Sequence, residues 1–216
     1  MMTRLDTART VNTIQTYNFE DSMQVMRDDK CLELGISSLY TFTNSRHGYT
    51  VAGDACADIM IHYDKNRTDL GIELVGPHDD LDSLDLHEGC RYFGIRFLPG
   101  YSPLAVGESI TDIRGSILEL ESGDVYDSLI EAICGHETFE TQCREVLRCM
   151  GRFQAADGEQ LSNTQWDLAR WLLEVMISDK KKYSLAELEQ ASGYSSRYLN
   201  KVFRMYTGYT ISKFAN

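Results

Sequence analysis

The hydrophobic positions of this chain change their period part-way along it. From about residue 13 to 107, apolar residues come in short runs rich in β-branched and aromatic side chains. These runs lie at 35–43, 58–63, 71–75, 84–86 and 92–98, parted by Gly, Asp and Asn clusters. Such runs predict strands, and several at this spacing predict an all-β barrel or sandwich. Beyond Gly100 the spacing becomes helical. Val125, Leu129, Ile130 and Ile133 share one stripe, and Phe139, Cys143, Val146, Leu147 and Met150 share another. Gly135-His136 separates the two. A third helix is predicted from near Asn163 to about Ser178. Trp166, Ala169, Trp171, Leu172, Leu173, Val175, Met176 and Ile177 make it apolar over much of its surface, which predicts burial beneath the C-terminal segment. Residues 155–162 are small and polar and read as a linker.

The last 33 residues, Ser184 to Asn216, carry the most specific local pattern. Ser184 and Glu187 have the spacing of a capping box, which predicts a helix from Leu185. Leu185, Leu188 and Ala191 share one side of it. Gly193 suits the left-handed conformation that ends a helix, and Ser195 suits the N-cap of the next. In that second helix Leu199, Val202 and Phe203 form an apolar face. Arg197, Asn200, Lys201 and Arg204 fall at i, i+3, i+4 and i+7 on the other. A solvated face has this composition, and so has a face that reads DNA. Arg or Lys donates to guanine and Asn pairs with adenine in the major groove.

The spacing Leu188, Gly193-Tyr194-Ser195, Tyr198-Leu199, Lys201, Phe203 and Gly208 resembles the first helix-turn-helix of AraC/XylS-type transcription regulators. Ile211-Ser-Lys-Phe214 is similar to the start of that family's long linker helix. The resemblance implies a DNA-contacting set of Ser196, Arg197, Asn200, Lys201 and Arg204. Glu189 departs from the family, which has a small residue at this helix crossing, so the carboxylate must tilt outward or strain the contact. The family carries two such motifs and one is present here, so the resemblance implies half of a DNA-binding domain and weak DNA binding by this chain alone.

The β half resembles the cupin-like sensor domain of one branch of these regulators. The resemblance rests on Gly53-Asp54-Ala-Cys-Ala-Asp58-Ile-Met-Ile, Val75-Gly76-Pro77 and Phe93-Gly94-Ile-Arg96-Phe97-Leu-Pro99-Gly100. Ala52 and Ala55 stand where that pattern has Pro and Gly. Together these readings imply an α+β chain in three parts. A cupin-like β-barrel or sandwich that senses an effector spans 1–120. A helical hairpin at 121–153 serves dimerisation, and residues 163–216 form the first helix-turn-helix subdomain. On sequence alone the hairpin's apolar stripe is as well suited to the chain's own sheet as to a second subunit.

Charge changes the picture in the same direction. The net charge is −12 over 216 residues, made of −14 over residues 1–150 and +2 over 151–216. From Gln190 onward there are four basic residues and no acidic one. An acidic body with a basic tip fits a sensor joined to a reader, since phosphate affinity needs local positive charge. Lys180-Lys181-Lys182 form a solvated connector with the chemistry for a phosphate contact. No apolar run approaches 18 residues and the N-terminus has no signal-peptide core, which predicts no membrane span and a cytoplasmic protein. Six scattered cysteines without a C-x-x-C pair read as small buried residues in reduced form.

Candidate chemistry in the β half is sparse. There is no nucleophile elbow, P-loop, dinucleotide fingerprint or paired-carboxylate signature, so no enzyme activity and no cofactor are expected. His47, His62, His78, His87 and His136 include no H-x-H pair, and spacing disfavours a metal centre built from His62, His78 and His87. The acidic run Asp79, Asp80, Asp82 and Asp85 lacks the Gly and Glu positions of a calcium loop. Arg96, with Tyr92 and His62, is the candidate effector-binding set. Arg96 is either an anion anchor in a cavity or the partner of Asp54 or Asp58 in an ion pair tying two strands together, and the ion pair is the favoured reading. The expected function is a homodimeric, DNA-binding transcription regulator sensing an unidentified small molecule. The alternatives are a sensor and dimerisation module without DNA binding of its own, and a small metal-dependent cupin enzyme.

Overall fold

The computed structural model describes residues 23–45, 49–51, 55–66, 68–78, 82–84, 86–101, 112–121, 123–156, 164–177 and 183–215. In chain order the elements are β1 (Gln24–Met26), α1 (Asp29–Glu33), β2 (Ile36–Thr43), β3 (Tyr49–Val51), β4 (Asp58–Tyr63), β5 (Leu70–Val75), β6 (Asp82–Leu84), β7 (Arg91–Phe97) and β8 (Ile117–Glu119). Among the described residues six helices follow: α2 (Asp124–Cys134), α3 (Phe139–Ala156), α4 (Thr164–Ile177), α5 (Leu185–Ser192), α6 (Ser196–Thr207) and α7 (Ile211–Phe214). The class is α+β. Strands β2, β4, β5 and β7 coincide closely with the apolar runs that predict them, whereas the run at 84–86 is displaced and β6 ends at Leu84. Strands β1, β3 and β8 and helix α1 are short and carry no pattern of their own.

Among the described residues, six strands form one antiparallel open sheet in the order β1-β2-β7-β4-β5-β8, and β3 and β6 form a separate two-stranded ribbon. Strand alternation gives the large sheet two faces. One face presents Leu39, Ile59, Ile61, Ile72, Leu74, Phe93, Ile95 and Phe97, all buried against Leu129, Ile133, Cys143, Val146, Cys149 and Met150 of α2 and α3. Phe93 and Phe139 pack with ring centroids 5.8 Å apart. Gln142 of α3 donates to the Tyr63 hydroxyl at 3.2 Å and to the Ile133 carbonyl at 2.9 Å. The helical hairpin therefore spends its apolar stripe on the chain's own sheet.

The opposite face is polar as well as apolar. Tyr40, Phe42, Met60, Val75, Leu86, Cys90 and Tyr92 cluster there. The register places Asp58 beside Arg96 and His62 beside Tyr92 on β4 and β7. Gly94 lies between Tyr40 of β2 and Met60 of β4. A Cβ at Gly94 would come within 2.0 Å of the Tyr40 ring, so glycine is what lets that ring cross β7 and reach Asp58.

A third cluster joins Leu168, Ala169, Leu172 and Leu173 of α4 to Leu188, Leu199, Val202, Phe203 and Ile211, so α4 lies under the helices that come after it, as its apolar surface predicts. Ala55, from the loop before β4, is buried in the same cluster. The two halves also meet where Arg114 Nη1 donates to the Gly208 carbonyl and Tyr209 donates to the His78 carbonyl. The linker residues from 157 onward and Lys180 to Lys182 lie outside the described residues, as do His47, Asp54, Asp79, Asp80 and Asp85. All six cysteines are buried, and none forms a disulfide. Burial pushes the thiols of Cys31 and Cys143 up to about 12, which keeps them protonated and unreactive.

Candidate functional site

The basic face at the C-terminal end is set by helix ends that the sequence encodes locally. Ser184 and Glu187 make both halves of the capping box. Gly193 adopts φ 75°, the left-handed region, and its N–H donates to the Glu189 carbonyl, closing α5. Ser195 caps α6 by accepting from the Tyr198 N–H. Helix α6 is then divided sharply. Leu199, Val202 and Phe203 are fully buried, a contribution of about 1.5–3 kcal/mol each. Arg197, Lys201 and Arg204 are exposed on the other side, and Ser196 is half-buried.

Asn200 behaves differently from its charged neighbours. Its Nδ2 donates to the Ser196 carbonyl at 3.0 Å, and its Oδ1 accepts from the Ile211 N–H at 3.0 Å. Both ends of the amide are engaged within the chain, fastening the start of α7 to α6. Glu189 resolves its tight position by turning toward the N-terminus of α6, where its carboxylate accepts from the Ser196 N–H. Hydrogen bonding to Ser196 holds its pKa below the ordinary value. A carboxylate at a helix N-terminus also faces the positive end of the dipole.

On the second face of the sheet, Arg96 is closed off as an anchor. Its guanidinium donates to Asp58 at 2.8 Å, with both side chains buried, and the other Asp58 oxygen accepts from Tyr40 at 3.0 Å. This is the strand-tying ion pair, made with Asp58. His62 and Tyr92 stand further along the same face, with ring centroids 5.5 Å apart. Burial raises the pKa of Tyr92, so its hydroxyl stays neutral; that oxygen accepts from the His87 N–H at 2.7 Å.

What the sequence spacing missed is the grouping around His62. Its Nε2 lies 3.4 Å from Asp69 Oδ1, while His87 Nδ1 lies 2.8 Å from Asp69 Oδ2. The two imidazoles are 4.3 Å apart between centroids. Three elements converge here: the end of β4, the β4–β5 turn and the loop before β7. Asp64 shapes the turn, accepting from Thr68 Oγ1 at 2.8 Å and from the Asp69 N–H at 3.1 Å. Asn44 fixes the loop by donating to the carbonyls of Leu86 and His87, each at 2.9 Å. Gly71 leaves room for the imidazole, since a Cβ there would lie 2.4 Å from His62 Cε1. His78 is not part of the group; its Nδ1 sits 2.6 Å from the Gly76 carbonyl oxygen. Hydrogen bonding from His87 lowers the Asp69 pKa, so the carboxylate is anionic at neutral pH.

No described helix is long and apolar enough to cross a membrane. Nothing among curated proteins or solved structures matches the chain. Residues 29–119, from α1 through β8, match the family described as a domain of unknown function, DUF6597.

Proposed function

We propose that this protein is a transcription regulator of AraC type, in which α5 and α6 form a helix-turn-helix and the β half is a cupin-like sensor. The observation carrying this reading is the division of α6. Its apolar side is fully buried on α4 and α5, and its outer side offers Arg197, Lys201 and Arg204 to solvent. In such a motif the second helix enters the major groove. The three cations then supply phosphate and guanine contacts, and Ser196 lies at the helix end nearest the bases. The acidic body, repelled by DNA, keeps the basic tip as the approach surface.

The sensor proposal rests on the polar second face of the sheet, with effector contacts from His62 and Tyr92 rather than Arg96. Contacts of Arg114 and Tyr209 across the two halves give an effector a route to bias the reader, the two-site arrangement allostery requires. Two chains pairing on DNA would present two readers to two half-sites.

A salt series of fluorescence anisotropy on a random duplex pool tests the reading. Binding at low salt that weakens steeply with salt, and is abolished by combining Arg197→Ala, Lys201→Ala and Arg204→Ala, is the expected result. No binding at low salt rejects it. The second reading, a sensor module without DNA binding of its own, is favoured by one observation: Asn200, the candidate adenine reader, is already bonded at both ends within the chain.

A further inference from the structure

We propose that His62, Asp69 and His87 bind a divalent transition-metal ion, Zn(II) being the best fit, on the sheet face turned away from α2 and α3. One ligand atom from each residue lies within 4.8 Å of the other two. Two imidazole nitrogens and one carboxylate oxygen suit zinc and its neighbours, whereas magnesium and calcium take oxygen sets. Zinc bonds of about 2.0–2.2 Å in a tetrahedron place neighbouring ligand atoms roughly 3.3–3.5 Å apart. The His62 Nε2 to Asp69 Oδ1 separation of 3.4 Å already has that value. The His87 Nδ1 contact, at 2.8 Å, is with the other oxygen, Oδ2; it is a hydrogen bond that breaks as the ion takes the place of the Nδ1 proton.

His62 is buried to 5 % exposure and held by packing, with its Nε2 directed at the Asp69 carboxylate. Its Nδ1, which the ion would not contact, has no hydrogen-bond partner among the described residues. The surroundings have the features of a supported metal site: Asp64 orders the Asp69 turn and Asn44 orders the His87 loop. Access is available, because the Asp69 and His87 side chains are 46 % and 48 % exposed. Water completes the shell.

The site does not depend on DNA reading, and metal uptake would persist in a chain that binds no DNA. The test uses the full, tag-free chain after EDTA dialysis, titrated with Co(II), whose visible d–d bands report an ordered site, and then with Zn(II) as competitor. Saturation at one Co(II) per chain and displacement by Zn(II) are expected. His87→Ala and Asp69→Asn should each weaken uptake by at least about 10-fold with an unchanged circular dichroism spectrum, since both side chains are half-exposed. His136→Ala, an exposed histidine elsewhere, should leave uptake unchanged. No saturable uptake, uptake that survives both site variants, or equal loss in His136→Ala overturns the proposal and leaves the group a hydrogen-bonded cluster only.

Discussion

Tyr209, just past the end of α6, donates its hydroxyl hydrogen to the carbonyl of His78, 131 residues earlier in the β half. The ring is buried, and Arg114 lies over it with its guanidinium carbon 4.5 Å from the ring centroid. The same Arg114 bonds the Gly208 carbonyl. Arg114 and Tyr209 thus help latch the C-terminal helices to the sheet end.

Tyr209→Phe keeps the ring and removes the latch. It leaves the His78 carbonyl without this donor, which costs about 1–3 kcal/mol. For a chain of this length that corresponds to a fall in Tm of roughly 2–12 °C by thermal unfolding. An unchanged Tm would show that the bond contributes nothing to holding the halves together.

The Asp58–Arg96 pair, bonded also by Tyr40, tests whether the second face of the sheet is held by electrostatics or by packing. Asp58→Ala strands a buried guanidinium and should destabilise by about 3–5 kcal/mol in urea unfolding. Combining Asp58→Leu with Arg96→Met removes both charges and should recover most of that loss. A double variant as unstable as Asp58→Ala alone would mean that the pair's hydrogen bonds, not charge burial, dominate.

This pair also shows how far sequence pattern reaches. Strand alternation puts Arg96 on a face with Tyr92, and two aspartates offer themselves as partners; only the register of β4 on β7 decides for Asp58. The helical boundaries at Ser184, Gly193 and Ser195 are legible because caps are local chemistry. The histidine group is not legible. His62, Asp69 and His87 come from three elements, and the shared carboxylate is a turn residue that no spacing rule singles out. Asn200 has an intrachain role hidden for the same reason: its bond to the Ile211 N–H depends on how α7 folds back against α6, not on its place along α6. Likewise, periodicity reveals the apolar stripe of α2 and α3 but cannot say that the chain's own sheet covers it.

Asn200 and Lys201 are neighbours in sequence that should fail differently. Lys201→Ala removes an exposed cation, so DNA affinity should fall and the salt slope should drop by about one, with Tm unchanged. Asn200→Ala removes bonds to the Ser196 carbonyl and the Ile211 N–H and should lower stability by about 1–2 kcal/mol. Thermal unfolding and anisotropy on both variants separate the roles. A Tm fall for Lys201→Ala with none for Asn200→Ala would reverse the assignment.

Glu189 gives a pH dependence of known sign. Hydrogen bonding to Ser196 holds its folded pKa below the ordinary 4.5. Above that ordinary value the carboxylate is ionised in both folded and unfolded chains, and its contribution to stability is fully present. As pH falls through the lowered folded value, the group protonates and the contribution disappears. Glu189→Ala should therefore unfold at a lower temperature than the parent at pH 7, with the gap steady down to about pH 4.5 and closing below it. The remaining carboxylates are common to both proteins, so their acid response cancels in the comparison. Glu189→Gln keeps an acceptor for the Ser196 N–H but gives up the charge at the N-terminus of α6, and should fall between the two at pH 7. Thermal unfolding at half-unit steps from pH 3 to 7 supplies the measurement. A gap of the same size at pH 3 and pH 7 would assign Glu189 a packing role and remove the ionised carboxylate from the account of how α6 is started.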